Sequence, residues 1–261
     1  MKISVVIPNF NTGEYLKKAI ESVLRQNWID KEIIVMDGGS SDNSLEILKS
    51  YGREIIWFSE KDKGQYDAIN KGLQIAKGEI FAYLNADDWY ERDIFEYVER
   101  KFSDIKDLTL LYGDCRMVTL DNQSLICKPP KDVSIKKLLN YGNLLYQPST
   151  FFSRKSLVDA GGVGEYKYMM EYDMYLNVLK RGVCLYSNKV FSNFLIRPGQ
   201  KSENDKGVMK EVYSISRKHG GRFFSPLGIG VLMSNFVSSK ALQKIKKFLL
   251  GLKNYEGSNN E

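Results

Sequence analysis

The sequence predicts an α/β fold, with a mostly parallel twisted sheet flanked by helices. Along the first third of the chain, short apolar runs alternate four times with stretches of helical periodicity. The 261 residues are 43% hydrophobic and 27% charged, which is ordinary for a globular protein with a sizeable core. Because parallel strands are joined by helical crossovers, this alternation favours parallel strands with right-handed connections.

Four apolar runs are the expected strands of the N-terminal half. They cover residues 3–7, 33–36, 55–58 and 80–84. Uninterrupted apolar runs are typical of strands that helices cover on both faces. The second run ends at Asp37, before a GGSSD turn, so residues that tolerate unusual backbone angles follow it directly.

Helical spacing fills the segments between these strands. The first helix is expected to start at Asn11, with Glu14 three residues later, and a short second helix to pass through Leu45. The third covers residues 66–76, and Gly78 is placed to cap its C-terminal end.

After Asp107 the pattern changes. Residues 108–120 and 124–127 flank an Asp-Asn turn and predict a hairpin. The remaining expected elements are an amphipathic piece around residue 138, a strand running into a helix over 147–157, a helix over 166–182, and strands at 183–186 and 191–196. We therefore divide residues 1–200 into two halves, 1–107 and 108–200.

The composition limits the cellular compartment and the partners expected for the protein. Its three cysteines are scattered, without metal or disulfide spacing, which favours a reducing compartment such as the cytoplasm. The short apolar run at the N-terminus does not read as a signal peptide, and no stretch has 18 consecutive apolar residues. The net charge of +6 is modest, and we expect no nucleic-acid partner.

Residues 201–261 are expected to form a basic amphipathic helical extension. Five lysines and no acid occur between Lys240 and Lys253, while apolar residues recur at helical spacing. Such a helix can lie on anionic lipid, so residues 226–253 predict contact with the inner face of the cell membrane. The alternative is a helix that packs on its own core or on a second copy of the chain.

Acids stand where two of the strands end. Asp37 follows the second strand, and Asp87 and Asp88 follow the fourth, so one edge of a parallel sheet would hold all three. Neither a P-loop nor a G-x-G-x-x-G motif is present, so a divalent metal, Mn²⁺ or Mg²⁺, is the expected partner of the phosphates. The plainer interpretation is turn-forming aspartates, with Asp88 capping a helix that begins near Glu91.

Three blocks of sequence carry a resemblance to a known family. They are SVVIPNFN through EIIVMDGGSSDNS, then SEKDKGQYDAINKGLQIAKGEIFAYLNADDWY, then QPSTFFSRKSL followed by GG and EYDMYL. In this order they resemble a family 2 glycosyltransferase of the GT-A fold, similar to bacterial capsule and colanic-acid enzymes. The resemblance covers roughly residues 3–200.

The resemblance implies roles for particular residues. Pro8, Phe10 and Asn11 would line the nucleotide pocket, Asp37 would contact the base, Asp87 the nucleoside sugar, and Asp88 would hold the metal. Many members have an arginine in the helix before the metal strand, where this chain has Ala68-Ile69-Asn70. Asp67 lies beside that gap and is expected to face the donor, and Lys61 or Lys63 to supply positive charge.

The expected catalytic base is Glu171, with Asp173 as the alternative. The family's acidic motif usually reads Asp-x-Asp with a later arginine, but here Glu171 is first and Asn177 replaces the arginine. Residues two apart on a helix point about 200° apart, so only one acid can face the cleft. Asp173, Asn177 and Lys180 form a polar stripe that we expect to face solvent.

The function predicted from these features is sugar transfer, with inversion, from a nucleotide-sugar, expected to be UDP-linked. The acceptor would be a hydroxyl of a glycan or lipid-linked oligosaccharide in bacterial surface polysaccharide synthesis. A metal-dependent nucleotidyltransferase and a non-catalytic nucleotide-binding module are the alternatives. The sequence leaves open whether the protein forms a homo-oligomer.

Overall fold

A single sheet organises the protein. The computed structural model describes residues 1–200 and 205–229, and within them nine strands form one sheet. The strands are β1 (Ile3–Asn9), β2 (Lys31–Asp37), β3 (Ile56–Ser59), β4 (Ile80–Tyr83), β5 (Trp89–Tyr90), β6 (Leu108–Thr119), β7 (Ser124–Cys127), β8 (Thr150–Ser153) and β9 (Val183–Ile196).

Helices cover both faces of the sheet. They are α1 (Gly13–Leu24), α2 (Ser44–Ser50), α3 (Gln65–Ile75), α4 (Phe95–Asp104), α5 (Ile135–Tyr141), α6 (Arg154–Asp159), α7 (Met170–Val178) and α8 (Asp205–Lys218), with a 3₁₀ turn at Gln147–Ser149. None of the helices in the described ranges is long and apolar enough to span a bilayer.

The strand order is β3-β2-β1-β4-β8-β6-β9-β5, and β7 pairs with β6. The first four strands in this order are parallel, as the alternating pattern predicts. β8 runs antiparallel to both of its neighbours, β4 and β6, whereas β6 and β9 are parallel. The carboxyl ends of β1, β2 and β4 therefore meet at one edge of the sheet.

Alternating side chains of the central strands divide the core in two. On β1, Ile3, Val5 and Ile7 are fully buried with residues of α1, α2 and α4. Val6 points to the other face, where α3, α5, α7 and α8 pack. This double cover explains why the first strand reads as an unbroken apolar run.

Three details differ from the sequence-based expectation. α1 begins at Gly13 rather than Asn11, because Asn11 adopts a left-handed backbone with φ 51°. Gly78 does not cap α3: a Cβ there would lie 2.6 Å from the Lys2 carbonyl oxygen, so the glycine permits close approach to β1. The helix expected near Glu91 begins at Phe95, because Trp89 and Tyr90 form β5 instead.

The last strand is also different. Residues 183–186 and 191–196 belong to one strand, β9, which pairs with β6 along its length. The polar residues between them are accommodated by a bulge, since the register jumps from Gly113–Ser187 to Asp114–Val190. β9 therefore carries the chain across the sheet to the edge where β4 ends.

The described part of the predicted C-terminal extension packs on the rest of the protein. Val212 and Ile215 of α8 are buried in the core that α5 and α7 share. The lysine-rich stretch from Lys240 to Lys253 lies outside the described residues, as does most of the predicted membrane segment 226–253.

Candidate active site

A cavity of about 610 Å³ opens at the carboxyl edge of the sheet. Pro8 and Phe10 line it at the carboxyl end of β1, Asn85 and Asp87 line it after β4, and α7 contributes Glu171. Other lining residues are Lys61, Asp62, Tyr83, Gln147, Lys167, Tyr168 and Arg197. The location agrees with the rule that open α/β sheets bind ligands beyond the carboxyl ends of their strands.

Asp87 is paired with an arginine that lies 110 residues further along the chain. The Nε and Nη2 atoms of Arg197 both lie 2.9 Å from Oδ2 of Asp87, and the two side chains are 22% and 13% exposed. On its other side the guanidinium lies over the ring of Tyr15, 5.0 Å from the centroid. β9 delivers Arg197 here because it pairs with β5, which directly follows the acid pair.

Asp88 lies behind Asp87 rather than in the cavity. It is 1% exposed, and its carboxylate accepts hydrogen bonds from the backbone N–H of Leu195, at 3.1 Å, and from the amide of Asn85. Burial, and then the charge of Asp87, raise the pKa of Asp88 well above its usual range. The assignment of Asp88 as metal ligand stays a prediction.

Asp37 also lies outside the cavity lining. It is 2% exposed, and its carboxylate accepts hydrogen bonds from Asn9, from the Ser40 and Ser59 hydroxyls, and from the backbone N–H groups of Gly39 and Ser40. Burial opposes ionisation, but these donors outweigh it and hold the pKa below its usual value. In this structure Asp37 ties the end of β1 to the loop after β2 and to the end of β3, and its contact with a base stays a prediction.

Two further residues that were predicted to contact the nucleotide-sugar lie beside the cavity. The Asn11 side chain is exposed and accepts the backbone N–H of Ser41 at 2.8 Å. Asp67 pairs with Lys71 at 3.2 Å and accepts the backbone N–H of Lys63, and these contacts lower its pKa. Neither residue lines the cavity, whereas Pro8, Phe10 and Asp87 do.

The structure separates the two acids of α7. Glu171 lines the cavity beside Tyr83, whose pKa is raised by burial and next by the charge of Glu171. Asp173 is 3% exposed and accepts hydrogen bonds from His219 at 2.8 Å and Lys218 at 3.1 Å. The prediction of a solvent-facing polar stripe was therefore wrong for Asp173, which α8 and the residue after it cover, whereas Lys180 is exposed.

α8 also holds the chain that leads into α7. The Glu211 carboxylate accepts three consecutive backbone N–H groups, those of Lys167 at 2.9 Å and of Tyr168 and Met169 at 2.7 Å. Lys180 completes the contact at the other end of α7, with its Nζ 2.8 Å from Nδ1 of His219. α8 and the residue after it thus contact both ends of α7, the helix that contributes Glu171 to the cavity wall.

The acids at the sheet edge are candidate ligands for a divalent metal. Within residues 1–200 and 205–229, no three His, Cys, Asp or Glu side chains form a ready-made metal cluster. Mg²⁺ and Mn²⁺ are commonly bound by one or two carboxylates together with substrate phosphates, so a cluster is not required. Asp87, which lines the cavity, fits a metal that binds together with a diphosphate.

Comparison with known proteins identifies the family. The family model described as glycosyl transferase family 2 matches residues 4–158, more than half of the chain. The chain belongs to glycosyl transferase family 2. An uncharacterized glycosyltransferase of Rickettsia typhi is 28% identical over 222 residues, which cover 80% of this chain and 68% of that protein.

Two solved structures share the fold. S. aureus TarS in complex with UDP-GlcNAc aligns with a TM-score of 0.65 at 15% identity, over 96% of this chain and 72% of that one. A mannosyltransferase from Pyrobaculum calidifontis, solved with GDP-Man and Mn²⁺, aligns with a TM-score of 0.66 at 13% identity, over 98% and 76%. The predicted GT-A fold is confirmed, and the protein is a glycosyltransferase.

Sequence reasoning missed two residues of this family 2 site. Arg197 was overlooked although an arginine at the end of the last strand, followed by Pro-Gly, is placed to reach the strand-end edge. Glu211 had no usable signal, because its partners are backbone N–H groups more than forty residues away. Of the positively charged candidates, Lys61 lines the cavity and Lys63 does not.

Proposed function

We propose that this glycosyltransferase transfers a sugar from a UDP-linked donor to a hydroxyl of a glycan or lipid-linked acceptor, with inversion at the anomeric carbon. The observation that carries the proposal is that one cavity at the carboxyl edge of the sheet is lined by both Asp87 and Glu171, from different elements. One acid can hold the donor side while the other deprotonates the acceptor. This division of roles suits a single displacement.

Three of the cavity residues have a proposed task. Phe10, 61% exposed, offers a ring face to the nucleobase. The resemblance implies that Asp88 holds the metal and that Asp87 contacts the nucleoside sugar. Because Asp87 lines the cavity and Asp88 is buried next to it, Asp87 is the residue proposed to contact the metal. A divalent cation bound there would act as a Lewis acid on the departing diphosphate. Glu171 accepts the proton of the attacking hydroxyl, and such help is worth on the order of 10²–10⁴ in rate.

The test is donor hydrolysis and transfer by the full-length chain. A panel of radiolabelled UDP- and GDP-sugars should contain one donor that is hydrolysed with Mn²⁺ and not with chelator. Asp87→Asn should remove this hydrolysis, while Glu14→Gln, an exposed acid of α1, should not. If no nucleotide-sugar of the panel is bound or hydrolysed, the proposed function is wrong.

We also propose that the enzyme works at the cytoplasmic face of a membrane, in bacterial surface polysaccharide synthesis. Phe223, Phe224 and Ile229 are 45%, 79% and 46% exposed, and the exposed Arg222 lies among them. The sequence that follows, residues 230–253, supplies five lysines and no acid. Aromatic side chains next to basic ones match an anionic lipid surface, where a lipid-linked acceptor would be found.

A further inference from the structure

The Arg197–Asp87 pair places a cation where a metal and a diphosphate are expected to bind. Both N–H contacts go to one oxygen of Asp87, and both residues line the cavity. No other cation within residues 1–200 and 205–229 pairs with Asp87. A divalent metal that binds Asp87 through this oxygen must therefore displace the guanidinium.

The displaced guanidinium has a suitable new partner in the same cavity. In the described part of the chain the lining acids are Asp62, Asp87 and Glu171, and the lining cations are Lys61, Lys167 and Arg197. This balance of three against three leaves no excess charge for a diphosphate. Once a divalent metal takes over Asp87, Arg197 becomes available, and its planar fork matches phosphate oxygens.

The surroundings of Arg197 permit such an exchange. Its backbone is fixed in the turn after β9, where Gln200 donates to the Leu195 carbonyl at 2.7 Å. Tyr15 lies against the guanidinium, so the side chain can change its hydrogen-bond partner while it keeps this contact. Only side-chain torsions need to change, because the residue already lines the cavity.

We propose that Arg197 is a diphosphate-binding residue that pairs with Asp87 and exchanges this carboxylate for the donor diphosphate when metal and donor bind. The proposal rests on the proposed function and goes further, because it assigns a change of partner to one arginine of the site. It predicts opposite effects of one substitution on two ligands. Removal of the arginine should strengthen binding of the metal alone and weaken binding of the nucleotide.

The experiment measures both affinities with the full-length chain. Mn²⁺ alone is titrated by electron paramagnetic resonance, and UDP and GDP are titrated by calorimetry at saturating Mn²⁺. Arg197→Gln should bind Mn²⁺ about fivefold more tightly than wild type and the nucleotide about tenfold more weakly, as expected for the loss of a charged hydrogen-bond partner. Arg197→Lys, which keeps the charge without the fork, should lie between them.

Lys61→Gln is the matched control. It removes one positive charge from the same cavity but no partner of Asp87, so it should raise Mn²⁺ affinity by no more than about twofold, the effect of charge alone at a screened site. Equal Mn²⁺ gains in the two variants, or weaker Mn²⁺ binding in Arg197→Gln, would overturn the exchange. Unchanged nucleotide affinity in Arg197→Gln would overturn the diphosphate role while the proposed function stands. A wild-type chain that binds no nucleotide would overturn both.

Discussion

Glu171 and Asp173 are separated by one residue on α7, yet they lie on different sides of that helix. Glu171 lines the cavity, and Asp173 is buried in a polar cluster with Lys218 and His219. Helical geometry alone accounts for this, since two residues correspond to about 200° of rotation. The same short helix therefore presents one acid to the cavity and the other to the C-terminal part of the chain.

The first prediction concerns the catalytic base. Glu171→Gln should lower transfer by about a hundredfold or more, because the amide cannot accept the acceptor proton. Binding of nucleotide and Mn²⁺ should stay within about twofold of wild type, since Glu171 is not expected to contact the diphosphate. Initial rates with the donor found in the panel, and calorimetry on the same samples, measure both effects.

Asp173→Asn is the control for that substitution. It removes the other acid of the motif, and we expect turnover per folded molecule to change by less than about tenfold, well below the loss predicted for a general base. A large loss of turnover in Asp173→Asn together with an active Glu171→Gln would assign the base to Asp173. Rates should be taken well below the melting temperature of each variant.

The second prediction is a dependence of stability on pH through Asp173. Burial opposes ionisation of this carboxyl, but His219 and Lys218 outweigh it and hold the pKa below the usual 3.8. A depressed folded-state pKa stabilises the protein above the unfolded-state value, and this contribution is lost as the pH falls through the folded-state value. Wild type should therefore exceed Asp173→Asn in unfolding free energy at about pH 5 to 6, and this margin should shrink below about pH 4.

Urea unfolding at several pH values between 3 and 6 measures this margin. We expect roughly 2–3 kcal/mol at pH 6, since the substitution leaves a buried His219 without its charged partner. Asp159→Asn, an exposed pair with Lys155, should show a much smaller margin. A margin for Asp173→Asn that does not depend on pH would contradict the assigned pKa direction.

The third prediction concerns Glu211. Its substitution by glutamine leaves one acceptor oxygen and replaces the other with an NH₂ group, so at least one of the N–H groups of Lys167, Tyr168 and Met169 loses its acceptor. The unfolding free energy should fall by about 1–3 kcal/mol. Because Lys167, Tyr168 and Glu171 line the cavity, kcat should fall about tenfold, with a much smaller change in the donor KM.

Lys210→Gln serves as the control for that experiment, since Lys210 is an exposed neighbour on the same helix. It should leave both stability and kcat close to wild type. A Glu211→Gln variant that melts earlier but turns over at the wild-type rate would show that the carboxylate only stabilises α7.

The sequence predicts the edge at which the site lies because of one topological fact. The carboxyl ends of parallel strands meet, so Phe10 and Asp87 could be placed together from their positions after β1 and β4. Asp37 follows the same pattern, but its carboxylate is satisfied by its own loop, including the N–H groups of Gly39 and Ser40. A run of sequence does not show whether a turn aspartate binds its own backbone or a ligand.

The residues that the sequence did not reveal are placed by a very short strand pairing or by contacts between residues far apart along the chain. Arg197 reaches Asp87 because β9 pairs with β5, which contains only Trp89 and Tyr90. Two residues carry no recognisable strand pattern. The stripe that includes Asp173 was expected to face solvent because the segment that covers it was assigned to a separate extension.

The fourth prediction tests the packing of α3 on β1. Gly72 lies so close to β1 that a Cβ would be 2.5 Å from Cγ1 of Val6. Gly72→Ala should therefore destabilise the protein by about 1–3 kcal/mol through overpacking. Gln74→Ala, at an exposed position of α3, should have little effect.

A double variant separates steric overlap from other effects of the alanine. Val6→Ala alone should cost about 1–2 kcal/mol for a lost buried contact. Combined with Gly72→Ala it should be less destabilising than the sum of the two, because the removed methyl groups are those that clash. Additive losses would show that the overlap is relieved by movement elsewhere.

The fifth prediction is that Phe223 and Phe224 contact an anionic bilayer. The two rings lie 5.0 Å apart, and the turn that carries them ends at Ser225, whose hydroxyl accepts the N–H of Gly228. The full-length chain should sediment with vesicles that contain anionic lipid and not with neutral vesicles, since basic residues add about 1 kcal/mol each only near negative charge. Phe223→Ser combined with Phe224→Ser should reduce the bound fraction about tenfold or more, because two aromatic side chains leave the interface.

Leu125→Ser combined with Ile126→Ser is the matched control, because these side chains of β7 are each 41% exposed and lie on another element. This pair should leave sedimentation unchanged. If both double variants sediment like wild type, the Phe223–Phe224 turn does not contact the bilayer. If instead the phenylalanine variant changes the mass measured by light scattering without vesicles, a second copy of the chain covers these rings, and the membrane contact must be assigned to another part of the protein.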